Sequence, residues 1–205
     1  MARTDIYMRG PTSERKRAAV QPTDEELLDG ARRGDDSAFR QLVERYEGRV
    51  AATVIGMLGN TEEAEDAGQE TFIRFYRSLD RFRGESSIAT YLTRIAINQS
   101  LDAIKRRQRW TKRFVSRDEE EVMLTEPVHD AGEEINARER AELVRTAIQT
   151  LKADHRSVVV LRMIEGYSTR ETAEILGLPV GTVTSRLSRA LDKLEAVLDP
   201  LVGEA

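Results

Sequence analysis

The sequence predicts an all-α protein, two small helical domains joined by a flexible acidic linker. Three observations carry that expectation. Apolar residues recur at helical spacing along most of the chain. Each half holds a capping box, Thr23-Asp24-Glu25-Glu26 and Ser168-Thr169-Arg170-Glu171, in which a hydroxyl and a carboxylate satisfy orphan amides of a first helical turn. Between the halves, residues 117–134 turn acidic and include Pro127 and Gly132, both poor helix residues.

Composition bounds the function. A charged fraction of 33% with only 5% aromatics suits small, well-solvated helical domains, and 205 residues can bury a core. The net charge is −4, so nucleic-acid binding must come from local patches. Without cysteine there is neither a disulfide nor a thiolate zinc site. No apolar run approaches the roughly 20 residues of a membrane span, and residues 1–20 lack the apolar centre of a signal peptide. A cytoplasmic location is expected.

In chain order, residues 1–22 form a basic tail with Arg3, Arg9, Arg15, Lys16 and Arg17 and no sustained period, expected to be disordered. The first domain, 23–112, opens at the Thr23 box with a short helix to Arg33. Asp35 or Asp36 caps a long helix carrying Phe39, Leu42, Val43, Tyr46, Val50, Val54 and Leu58, closed by Gly59-Asn60. Thr61 opens a third helix with Ala64, Ala67, Phe72, Phe75, Tyr76 and Leu79. A loop over 80–87 leads to a fourth helix marked by Ile88, Leu92, Ile95, Ala96 and Ile104. Its end, Lys105-Arg106-Arg107-Gln108-Arg109-Trp110, suits a nucleic-acid backbone with one stacking ring, or a solvated helix end whose cations complement the dipole.

The acidic linker, 113–135, is extended by its own repulsion. The second domain, 136–199, carries helical stripes at Ala137, Ala141, Val144, Ile148 and Leu151, then at Val158, Val159, Leu161, Arg162 and Ile164. The β-branched run 158–160 reads as helical from its context. A helix from Thr169 to Leu176 stops at Gly177, and Pro179 suits the first position of the last helix. That helix has an apolar back of Val183, Leu187, Ala190, Leu191, Leu194 and Leu198. Its front shows Thr182, Thr184, Ser185, Arg186, Ser188 and Arg189, hydroxyls and guanidiniums that fit a DNA major groove.

Enzymatic readings fare badly. His129 falls in the linker and His155 at a helix start, so they form no metal site or catalytic dyad. No glycine-rich phosphate cradle follows a strand. No catalytic residue, metal ligand or cofactor site is expected.

Two groups of motifs carry a resemblance. Gly34-Asp35-Asp36-Ser37-Ala38-Phe39 with Tyr46, Ala64-Glu65-Asp66, Gln69-Glu70-Thr71-Phe72, Asp80-Arg81-Phe82-Arg83-Gly84 and the run 90–98 ending in Asn98 resemble region 2 of an extracytoplasmic-function (ECF) sigma factor. The run 174–183, with Ser185-Arg186-Leu187 and Arg189-Ala190, resembles region 4 of that family. The resemblance implies a bacterial transcription-initiation subunit that is not an enzyme. Such a protein brings core RNA polymerase to promoters with elements near minus ten and minus thirty-five, and starts DNA opening.

The implied partners are the clamp helices of the polymerase's largest subunit, the flap of its second largest, promoter DNA and, in many members, an anti-sigma factor. Asp66, Gln69, Glu70 and Arg74 fall to core polymerase. Arg74, Phe82, Arg83, Ser86, Arg94, Asn98, Arg106 and Arg107 fall to the minus-ten DNA, and Thr182, Thr184, Ser185, Arg186, Ser188 and Arg189 to the minus-thirty-five DNA. The Phe82 ring either borders a pocket for a flipped base or is core. Arg189 either reads guanine or pairs with Asp192 or Glu195. The linker is either a nucleic-acid mimic in a basic polymerase channel or a plain tether. Gly68, Tyr91, Lys152 and Thr184 depart from the family's usual residues. The competing function is a stand-alone helix-turn-helix regulator whose N-terminal bundle senses or dimerises.

Overall fold

Capping chemistry sets most of the helix boundaries. In the computed structural model, which describes residues 21–114 and 137–202, Thr23 and Glu26 cap each other at the start of α1, Asp24–Arg32. Asp35, not Asp36, caps α2, Asp36–Leu58, through the amides of Ser37 and Ala38. Thr61 caps α3, Glu62–Ser78, and a short 3-10 turn, Leu79–Arg81, follows. α4 spans Ile88–Phe114, two residues past the expected domain end. The second half holds α5, Ala137–Gln149, α6, Ala153–Val159, a π-helical turn, Val160–Ile164, α7, Thr169–Leu176, and α8, Val180–Val202. Pro179 stands one position outside the last helix, with its carbonyl taking the amides of Thr182 and Val183. Among the described residues no strand occurs. The basic tail before residue 21 and most of the acidic linker lie outside the described residues.

The first four helices form one bundle around Leu42, Met57, Phe75, Leu92 and Ile97, all essentially inaccessible. The second half has two small cores of its own. One joins α5, α6 and α8 through Ile148, Leu151, Val159, Ala190 and Leu194, and the other holds the helix-turn-helix together through Val158, Ala173 and Val183. Four consecutive residues, Val158 to Leu161, are buried. An amphipathic helix with one apolar face cannot do this. Here Val158 faces α7 and α8, Val159 faces α5 and α8, and Val160 and Leu161 turn into the N-terminal bundle. The π-turn redirects the side chains between those three neighbours.

The two halves therefore dock. Val160, Leu161, Tyr167 and Ile175 share one apolar cluster with α1 to α4. Gln149 Nε2 donates to the Gly56 carbonyl at 2.9 Å and Arg156 Nη1 to the Met57 carbonyl at 2.6 Å, closing the exposed end of α2. Glu165, 4% exposed at its side chain, accepts from Thr53 Oγ1 at 2.9 Å and lies 3.4 Å from Arg49 Nη1.

Candidate nucleic-acid and polymerase interfaces

The α3 helix buries Ala64, Ala67, Thr71 and Phe75 and turns Asp66, Gln69, Ile73 and Arg74 outward, because its apolar residues follow the helical period. These outward residues, with Glu70, line a groove shared with Gln99, Asp102 and Arg106 of α4. Arg74 is engaged within it. Its Nε donates to Glu70 Oε1 at 2.9 Å, and the Gln99 amide oxygen can accept from Nε and Nη1 at 2.9 and 3.0 Å. The structure thus gathers the four residues expected at polymerase with Arg106, expected at DNA. Ile73 and Tyr76 add exposed apolar surface on the same helix.

The loop after α3 differs from expectation at its aromatic residue. Phe82 is 7% exposed and packs edge-on against Phe75 and Tyr91, with ring centroids 6.4 and 5.0 Å away. Its ring lies in the core, the second of the two places the sequence left open for it, and not on the outward face of the loop. Arg32 of α1 holds the loop start, donating to the Leu79 carbonyl at 3.0 Å and to the Phe82 carbonyl. Arg83, Gly84 and Glu85 face outward beside a cleft formed with α1, and Gly84 takes a positive φ of 73° that suits glycine. Ser86 is half-buried. Ser87 ends the loop as a cap, its hydroxyl accepting from the Thr90 amide at 3.1 Å.

Along α4, half-buried Arg94 and exposed Asn98 stand one turn apart. Arg94 Nε is enclosed and makes no hydrogen bond. Lys105, Arg106, Arg107 and Arg109 are exposed, as is Trp110 at 63%. Arg107 leans on Glu63 at 3.5 Å and Lys105 on Asp102 at 4.0 Å.

The last helix matches its expected pattern closely. Ser168 and Glu171 form the capping box, and Gly177 ends α7 with a left-handed φ of 64°. Val183 and Ala190 are fully buried, and Leu191 is exposed in spite of its place in the apolar stripe. Thr184, Ser185, Ser188 and Arg189 are exposed. Thr184 and Ser185 hydroxyls donate back to the Val180 and Thr182 carbonyls at 3.2 and 3.0 Å. Thr182 and Arg186 are half-buried, and Arg186 Nη2 pairs with Asp154 at 2.9 Å. No side-chain ion pair or hydrogen bond holds Arg189 among the described residues, so the alternative pairing with Asp192 or Glu195 is not made. Burial, followed by the charges of Arg186 and Arg189, lowers the His155 pKa.

The two exposed faces fall within two family matches. Residues 42–110 match Sigma-70 region 2, and residues 141–194 match Sigma-70 region 4. The chain is 36% identical over 194 residues to the RNA polymerase sigma-H factor of Pseudomonas aeruginosa, covering 91% of this chain and 99% of that protein. It is also 34% identical over 189 residues to the ECF RNA polymerase sigma-E factor of Haemophilus influenzae, covering 90% of this chain and all of that protein. The chain belongs to the ECF family of RNA polymerase sigma factors. Among solved structures, CnrH in complex with the cytosolic domain of CnrY aligns with a TM-score of 0.59 at 30% identity, over 86% of this chain and 97% of that one. The sigma factor RpoE of Bartonella quintana, in complex with the anti-sigma factor NepR, aligns with a TM-score of 0.62 at 25% identity, over 78% and 96%.

As a sigma factor, the chain directs RNA polymerase to promoters in transcription initiation, a role outside enzymatic catalysis. Among the described residues no helix is long and apolar enough to cross a membrane. Sequence reasoning missed the residues between the modules. Gly56, Arg156 and Glu165 carried no motif, and Tyr167 meets Thr93 across 74 positions. One signal was present: an arginine and a glutamate bracketing the apolar run 158–161. Burial lowers the Arg156 pKa to about 10 and raises that of Glu165.

Proposed function

We propose that this sigma factor contacts core polymerase through the α3 groove and reads promoter DNA at two separate places. Asp66, Gln69 and Glu70 pair with basic groups on the clamp helices of the largest subunit, with Arg74 fixing Glu70 in position. Region 4 meets the flap of the second largest subunit. The outward loop 83–86 with Asn98 takes a flipped minus-ten base, Arg94, Arg106 and Arg107 hold nearby phosphates, and the Phe82 ring supports the loop from inside. Thr182, Thr184, Ser185, Ser188 and Arg189 meet the minus-thirty-five element, while Arg186 works from the flank. The protein acts in the cytoplasm without catalytic activity of its own. The anti-sigma factor bound by the Bartonella relative makes a partner of that class the natural inhibitor. The domain limits 23–112 and 136–199 serve as the two working units.

The observation that carries this reading is the exposed, unpaired Arg189 on a helix whose back is buried. A stand-alone regulator accounts for that helix but not for the carboxylate and amide groove on α3. Reconstitution decides the matter. The purified chain should join core polymerase in a titration and yield transcripts of one defined start. DNA binding with no affinity for core would favour the regulator.

A further inference from the structure

The outward loop 83–86 hangs between two held points. Behind it the Phe82 ring is core, and ahead of it the Ser87 hydroxyl caps α4 through the Thr90 amide. Residues 83–86 themselves make no hydrogen bond to any other described residue. A segment this short follows whatever turns at either end. The buried ring fixes Phe82 in place but does not fix its carbonyl. Rotation about ψ of Phe82, which stands at 110°, would swing that carbonyl and re-aim the chain into Arg83.

We infer that Arg32 of α1 is a positioning residue for minus-ten base reading, locking the Phe82 carbonyl and so aiming the loop that takes the base. The inference rests on the proposal that this loop, with Asn98, receives a flipped base. Arg32 Nε donates to the Leu79 carbonyl at 3.0 Å, and Nη2 donates to the Phe82 carbonyl. The two nitrogens share one edge of a planar guanidinium. Their two acceptors stand at the first residue of the 3-10 turn and just past its last. The remaining nitrogen, Nη1, lies 3.4 Å from Asp29 Oδ1 on the same helix, a further restraint on the plane.

Other groups hold α1 to the bundle. Leu27, Leu28 and Ala31 are buried in the common core, and Asp24 binds Arg45 and the Tyr46 hydroxyl of α2. The fork of Arg32 is therefore not needed to keep its own helix in place, and what it adds is the direction of the loop. Fork and charge make opposite predictions for lysine at this position. An ammonium offers one point of attachment in place of a rigid fork, so it can satisfy one carbonyl and leaves the other free to turn. If the charge alone mattered, through attraction to phosphates, lysine would serve as well as arginine.

Polymerase complexes made with the full chain test this on forked promoters that differ by one base at each minus-ten position. Arg32→Ala and Arg32→Lys should both keep their affinity for core. Both should flatten the preference at the flipped base about threefold or more, out of the roughly tenfold that one mismatched pair costs. Arg33→Ala, the exposed neighbour, should leave the preference intact. In the free chain, NMR order parameters of the 83–86 amides should fall with either Arg32 variant while those of α3 and α4 stay. An Arg32→Lys variant with the unmutated preference would give the role to charge and overturn the inference. Equal loss on every sequence together with lost core affinity would also overturn it, as the mark of structural support alone. Unchanged order parameters at 83–86 would do the same, whatever the promoters show. If Asn98→Ala leaves every minus-ten preference intact, the base-reading proposal has failed, and the order parameters still report separately whether Arg32 holds the loop.

Discussion

The α3–α4 groove and the front of α8 are both polar helical surfaces, yet they are built differently. In the groove Arg74 is bonded to Glu70 and faces Gln99, and at its edge Glu63 pairs with Arg107. On α8 the Thr184 and Ser185 hydroxyls bond their own helix, and Arg189 has no side-chain partner among the described residues. A pre-paired surface suits a protein partner, because its side chains are already ordered and lose less entropy on binding. An unpaired guanidinium over short residues suits a base edge, which must supply the acceptors itself. Mutating the paired groups of the groove should accordingly act through structure and contact together, and mutating the unpaired Arg189 through contact alone.

The largest effect should come from the core residue that supports the loop. Phe82→Ala removes an aromatic ring packed on Phe75 and Tyr91 and should cost about 3–5 kcal/mol of stability. Thermal melting should drop sharply, and polymerase and DNA binding should fall together. A variant that melts normally yet cannot open DNA would return the ring to the interface. Next, Asp66→Arg with Gln69→Ala changes exposed groups only. Its melting temperature should stay near that of the unmutated chain while affinity for core falls at least about tenfold, or roughly 1.4 kcal/mol.

On α8 the comparison sharpens within one helix. Arg189→Ala should flatten preference at one base pair by roughly 1–3 kcal/mol. Arg186→Ala, which also breaks the pair with Asp154, should weaken all sequences alike and lower the salt slope by about 1. Binding to a series of single-base variants, repeated at several salt concentrations, separates the two.

How legible these features were depended on range. Helix starts were readable because capping is local: Thr23 with Glu26 and Ser168 with Glu171 lie three residues apart. The front of α8 was readable because periodicity alone separates Val183 and Ala190 from Ser185 and Ser188. Phe82 left both roles open, since only a tertiary contact with Tyr91 puts the ring inside. The π-turn and the docking of the modules had no local signal beyond Arg156 and Glu165 on either side of the apolar run. They depend on Gly56 meeting Val160 and on Tyr167 meeting Thr93, pairs brought together by the bundle and not by sequence spacing.

A smaller effect follows from His155. Burial and the Arg186 and Arg189 charges hold its pKa below 6.5, so the unfolded chain takes up that proton first as pH falls. Its contribution to stability is complete above that ordinary value and declines from there toward the lowered one. Bound phosphates should reverse part of the shift. An NMR titration of the imidazole should show its pKa rising when upstream-element DNA is added, and staying put with Arg189→Ala and Arg186→Ala combined.

Permanganate footprinting of polymerase complexes tests the division of labour most directly. Asn98→Ala should retain polymerase binding and upstream contact but lose reactive thymines in the minus-ten region. Arg189→Ala should lose the upstream contact yet still show those thymines on a promoter already opened as a fork. Wild-type opening by Asn98→Ala, together with loss of opening on the fork by Arg189→Ala, would contradict the assignment of separate tasks to the two modules.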